Sequence, residues 1–106
     1  MNKACHPAIW ELQKTMKDFY KERLARLCLF GSYARGTADG GSDIDVMVVL
    51  KGKTDSHAER IKTLDILTDL SLAHNVVISC LFVDTERFMN EESPLMRNVR
   101  NDGIYL

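Results

Sequence analysis

A chain of 106 residues, 45% hydrophobic and 27% charged, can bury one modest core, so residues 1–106 are expected to form a single domain. Its 14 basic and 15 acidic side chains leave a net charge of −1, which provides no broad basic field and so no support for a nucleic-acid partner. An odd cysteine count of three, with no apolar run of signal-peptide or membrane-span length, predicts a cytoplasmic protein without a membrane anchor.

From Pro7 to Leu24, apolar residues at Ile9, Leu12, Met16, Phe19 and Tyr20 recur at helical spacing, with Pro7 suited to a first turn. Lys14, Lys17, Asp18, Lys21 and Glu22 make the solvated face, and Trp10 reads as a core or interface anchor. Lys21, Arg23 and Arg26 fall near the expected C-terminal end, where the helix dipole favours cations. Cys5-His6 has no second ligand pair at finger spacing and does not amount to a zinc site. Two apolar runs follow, Leu27–Phe30 and Val46–Leu50, both of strand length and joined by a glycine-rich polar connection. Lys51 to Ser56 is a polar turn whose Asp55 or Ser56 caps a helix running to about Ala73.

In that helix Ala58, Ile61, Leu64, Leu67 and Leu72 make one broad apolar face, with Ile66, Leu70 and Ala73 opposite. A helix apolar nearly all round is covered either twice by its own domain or by a partner, and Ile66 and Leu70 are the face expected to await that partner. His57 and His74 sit at its ends as solvated or capping groups. Asn75 to Val83, rich in β-branched and aromatic residues, is a third strand holding Cys80, which like Cys28 reads as a buried thiol. Asp84-Thr85-Glu86 starts a short helical segment. Pro94 opens a further helix with Leu95, Met96 and Val99 as its stripe and Gly103 at its end. The order of elements predicts an α/β fold with helices packed on a small mixed sheet.

The chemistry concentrates between the first two strands. Asp43 and Asp45 open the second strand at i and i+2, a spacing that puts both carboxylates on one face. Two acids so placed call for a cation between them, and Mg²⁺ favours a carboxylate or two together with substrate phosphates. Gly31-Ser32, at the end of the first strand, lets backbone N–H groups and a hydroxyl approach a phosphate. Gly31 to Gly36 has the two-glycine spacing of a P-loop, yet Thr37-Ala38 stands where Lys and Ser/Thr are needed. A calcium loop counted from Asp39 or Asp43 lacks the glycine at position six and the glutamate at position twelve.

Gly31-Ser32, ten intervening residues with Arg35-Gly36 among them, then Ser42 and Asp43-x-Asp45 together resemble the minimal nucleotidyltransferases of the polymerase-beta-like superfamily. The resemblance implies the nucleotidyltransferase fold and transfer of AMP from ATP to a hydroxyl acceptor. It assigns Mg²⁺ to Asp43 and Asp45 as catalytic metal ligands, and the nucleotide to Gly31, Ser32, Arg35 and Ser42. It also implies a HEPN-domain partner protein, with this chain as the antitoxin that adenylylates it; a homodimer is the other assembly considered. The sequence departs from the family pattern at one place. A third acid is common on the strand after the long helix, and the aligned position here is Ser79, which can serve neither as a charged ligand nor as a base. Asp84 and Glu86 lie beyond the strand. That departure admits a second reading, a nucleotide-binding antitoxin or regulatory subunit that acts by occlusion without chemistry.

Overall fold

Pro7 occupies the first helical position of α1 (Pro7–Tyr20), where no backbone N–H is needed, and the His6 Nδ1 accepts from the Ala8 N–H at 3.0 Å. The structure, a computed structural model, describes residues 6–39, 41 and 43–106. Cys5 and Ser42 therefore lie outside the described residues. Helix α1 buries Ala8, Ile9, Leu12, Met16 and Tyr20. Trp10, 70% exposed, is no part of the core, and Phe19 is a partly exposed ring stacked edge-on against Tyr20 at 4.9 Å.

The helix ends four residues earlier than its apolar spacing suggests, because Lys21 adopts a positive φ and Lys21–Arg23 tighten into a 3₁₀ turn. Strand β1 (Leu24–Phe30) then starts, so Arg26 is a strand residue whose guanidinium lies over the Tyr105 ring rather than a helix-end charge. After a short helix α2 (Ser32–Arg35) come β2 (Ile44–Leu50), α3 (Ser56–His74) and β3 (Ile78–Asp84). The chain closes with α4 (Thr85–Asn90), α5 (Pro94–Asp102) and the short β4 (Ile104–Tyr105). The sheet order is β3-β2-β1-β4, parallel between β2 and β3 and antiparallel elsewhere. This is the expected small mixed sheet, enlarged by one edge strand.

Strand alternation sorts the core into two layers. Leu27, Leu29, Val46, Val48, Leu50 and Phe82 pack with α1 and Leu70 of α3. Cys28, Met47, Val49 and Val83 pack on the opposite face with Phe88, Met96 and Val99. Being covered on both faces, β2 is apolar without interruption from Val46 onward. Burial pushes the Cys28 and Cys80 thiols up to about 11 and about 12, so both are structural. Gly103 stops α5 for want of space, since its φ is −67 and a Cβ there would meet Val99 O and Cys28 Sγ.

Helix α3 partly reverses the expected faces, with Leu67 of the broad face packed on the core and Ala73 exposed as expected. Its buried side carries Glu59, Thr63 and Leu70 with Ile66 half-buried, and Ile61, Leu64 and Leu72 face solvent. Two polar residues on the buried side mask the helical phase, and both are satisfied locally. Thr63 Oγ1 donates to Glu59 O at 2.9 Å. The Glu59 carboxylate accepts from Tyr20 Oη at 2.9 Å and Arg23 Nη2 at 3.2 Å, pinning α3 to the end of α1. Burial alone would raise the Glu59 carboxyl, but these hydrogen bonds and the Arg23 and Lys62 charges hold it below the usual carboxylate range. Glu59→Gln is expected to lower stability by about 2 kcal/mol at neutral pH, measured by urea unfolding. The wild-type margin is present above the ordinary carboxylate range and shrinks as pH falls through the depressed value of Glu59.

Candidate active site

The site forms where β1 ends and where β2 and β3 begin beside it. Gly31 follows β1 directly and caps α2 with φ 74 and ψ −153, a backbone conformation essentially reserved for glycine. It is constrained a second time by space, because a Cβ at Gly31 would collide with the Asp45 Oδ2 atom. The glycine and the second acid, fourteen positions apart in sequence, are thus in direct packing contact. Ser32 opens α2 half-buried, Arg35 N–H donates back to Gly31 O at 3.1 Å, and Gly36 ends the turn in the left-handed region. Helix geometry leaves the first-turn N–H groups of α2 without intrahelical acceptors.

Asp43 is exposed and immediately precedes β2, whereas Asp45 lies within the strand, half-buried, on the face of Met47 and Val49. Burial pushes the Asp45 carboxyl up, the neighbouring Asp43 charge pushes it further, and Arg35 opposes both. Two carboxylates two residues apart, both oxygen donors, beside a glycine kept free of a side chain, suit a hard divalent cation. Among the described residues no group of three or more His, Cys, Asp or Glu side chains could hold a metal, so this pair stands without a third protein carboxylate.

The register shows which residues stand beside Asp45. Asp45 pairs with Ser79 on β3 and with Phe30 on β1, so the three side chains share one face in a row across the sheet. Ser79 is exposed and Asp84 is five residues further along, capping α4 through the Arg87 N–H at 2.8 Å. The sequence assignment of Ser79 to this place therefore agrees with the strand register. Phe30 escaped sequence reasoning; its alternation with Cys28 was the available signal. Gly31, Ser32, Arg35, Asp43 and Asp45 come together at this end, and Ser42 lies outside the described residues. A cavity of about 430 Å³ reaches Asp43 and Ser79 from the outer side of β3, along Arg60, Leu64, Leu72 and Val77. A larger recess of about 880 Å³ beside Trp10, Lys14 and Lys17 includes none of the motif residues.

Residues 9–105 match the family described as Nucleotidyltransferase domain. Two chains of Methanocaldococcus jannaschii, named "Putative protein adenylyltransferase MJ0604" and "Putative protein adenylyltransferase MJ0141", are 36% and 38% identical to it. The first similarity covers 93% of this chain and 94% of that one, the second 67% and 71%. A toxin-antitoxin crystal structure with AMP-PNP superposes with a TM-score of 0.62 at 23% identity, over 90% of this chain and 69% of that one. A mutant of the toxin-antitoxin MntA-HpeT gives 0.59 at 23%, over 92% and 70%. These two likenesses establish the fold.

Proposed function

This chain belongs to the nucleotidyltransferase domain family, and from that premise we propose that it transfers AMP from ATP to a hydroxyl of a protein acceptor. The observation that carries the reading is the contact between Gly31 and Asp45, which joins the phosphate-binding turn to the metal-binding pair. Asp43 and Asp45 would hold Mg²⁺, which when bound neutralises phosphate charge and orients the reacting oxygens. The side-chain-free turn at Gly31, the first N–H groups of α2 and the Ser32 hydroxyl take triphosphate oxygens. Arg35 adds positive charge at the same place, and Ser42 flanks the first acid. The acceptor hydroxyl gives up its proton to solvent as its oxygen attacks the α-phosphorus, the bond to the bridging oxygen of pyrophosphate breaks, and pyrophosphate leaves with that electron pair.

The relatives named as protein adenylyltransferases and the toxin-antitoxin neighbours support a protein acceptor. We assign that role to a HEPN-domain partner, with this chain as antitoxin. Incubating the protein with [α-³²P]ATP, Mg²⁺ and the product of the adjacent gene tests the activity. Label on that product, lost in the Asp43→Asn/Asp45→Asn double variant, is the expected result; absence of label, or label indifferent to the substitutions, contradicts it.

Ser79 favours a second reading, in which nucleotide is held and the partner is neutralised by occlusion alone. The proton of the acceptor hydroxyl meets no carboxylate at that position. Ser79→Asp separates the two readings. With catalysis in place, the added base is expected to raise the transfer rate by up to about 10²-fold in the same label assay. Under occlusion, label stays absent and partner neutralisation survives the double Asp→Asn change.

A further inference from the structure

The outer edge of β3 is unpaired, and its polar groups are arranged in a way that selects a ligand. The Ile44 N–H donates to Val77 O at 2.9 Å, which fixes the phase of the parallel ladder. Backbone groups of Val77, Ser79 and Leu81 face β2, and those of Ile78, Cys80 and Phe82 face outward. The outward set is met only at its ends by α3. The Ile78 N–H donates to Ser71 Oγ at 3.3 Å, and Ser56 Oγ donates to Phe82 O. Between them the N–H and C=O of Cys80, the C=O of Ile78 and the N–H of Phe82 have no partner among the described residues; all three residues are buried and are reached only through the cavity they line. The cavity of about 430 Å³ lies along this stretch, walled by Leu64 and Leu72 at 61% and 76% exposure, and by Arg60. No described residue pairs with the Arg60 guanidinium. Asp43 and Ser79 belong to the lining of the same cavity.

We propose that this edge docks the acceptor as an extended polypeptide segment that adds a strand beside β3 and delivers its hydroxyl over Ser79 to the site. The inference rests on the proposed transfer reaction and specifies how its acceptor binds. Three observations argue for this occupant. Unsatisfied strand groups spaced at alternate residues are complementary to another strand backbone. The period of two sends one set of acceptor side chains onto Leu64 and Leu72 and the other over Ser79 and Leu81. Across the sheet the order is the Gly31-Ser32 turn, then the acids on β2, then Ser79, then the free edge. An in-line displacement whose pyrophosphate leaves toward Gly31 and Ser32 takes its nucleophile from the opposite side, which is the β3 edge. Arg60 at the far end of the groove selects a carboxylate on the segment.

The test uses the intact protein, Mg²⁺, [α-³²P]ATP and an array of ten-residue peptides, each with one central Tyr, Ser or Thr among alternating apolar residues and one acidic residue. Labelled peptides are expected, and N-methylation of their backbone should abolish labelling at alternate positions while sparing those between. Leu64→Asp/Leu72→Asp, changes at exposed positions, should leave Mg-dependent ATP binding intact and cut peptide labelling by about tenfold or more. Four outcomes overturn the docking alone, provided the product of the adjacent gene is labelled by the same preparation: no labelled peptide, no period-two pattern, unchanged labelling in the double variant, or a homodimer that already protects the Cys80 amide from exchange. A wild-type protein that fails to bind Mg·ATP, or binds it and labels neither the peptides nor the product of the adjacent gene, removes the transfer reading itself.

Discussion

Gly31→Ala is expected to abolish Mg-dependent ATP binding and to lower stability by about 1–3 kcal/mol. Two independent constraints act at that position. The backbone sits at φ 74 and ψ −153, where any Cβ is strained, and the space a Cβ needs is taken by the Asp45 carboxylate. An alanine therefore shifts the turn, displaces Asp45, or both. Either movement separates the phosphate turn from the acid beside it. Urea unfolding and an ATP titration on the same preparation check the two halves of the prediction. A variant that unfolds like wild type and still binds ATP would remove the structural basis of the site.

Asp45→Asn is expected to reduce the proposed AMP transfer on the order of 10²–10³-fold or more, because a charge proposed to hold Mg²⁺ is lost. In the metal-free protein the same change should raise the melting temperature. Burial first, and the Asp43 charge second, push the Asp45 carboxyl up, so its ionised form is a burden on the folded state. That burden is present where the carboxylate is ionised and disappears as pH falls below its ordinary range, so the stability gain of the asparagine should fade in acid. Thermal melts in EDTA at neutral and acidic pH test this. An asparagine variant less stable than wild type at neutral pH would show that Asp45 is held by favourable contacts rather than kept against its solvation cost.

What could be read from the residues followed the physics of each segment. The motif was legible because glycine at a strained turn and two acids at strand spacing have few alternative uses, and the structure packs Gly31 against Asp45. Ser79 does stand beside Asp45, because β2 and β3 run in parallel register with the two residues opposite each other. The faces of α3 were not legible. Glu59 and Thr63 are buried through partners, Tyr20 and Arg23 for the first and the Glu59 carbonyl for the second, that no periodicity reveals. The same inversion moved the exposed apolar surface from Ile66 and Leu70 to Ile61, Leu64 and Leu72, beside the open edge of β3. The end of α1 was missed for a similar reason. Positive φ at Lys21 is a tertiary choice, fixed where Lys51 N–H donates to Arg23 O at 2.8 Å and Arg23 reaches Glu59. Strand β4 is two residues long, too short for any alternation to announce it.

We propose that the turn at Gly31 and the acids at Asp43 and Asp45 form one Mg-dependent nucleotide site. Calorimetric titration with a non-hydrolysable ATP analogue, in Mg²⁺ and in EDTA, tests it most directly. Saturable binding in Mg²⁺, lost in EDTA and in the Asp43→Asn/Asp45→Asn double variant, is the predicted result. Binding of equal strength in EDTA, or undiminished in the double variant, would contradict it.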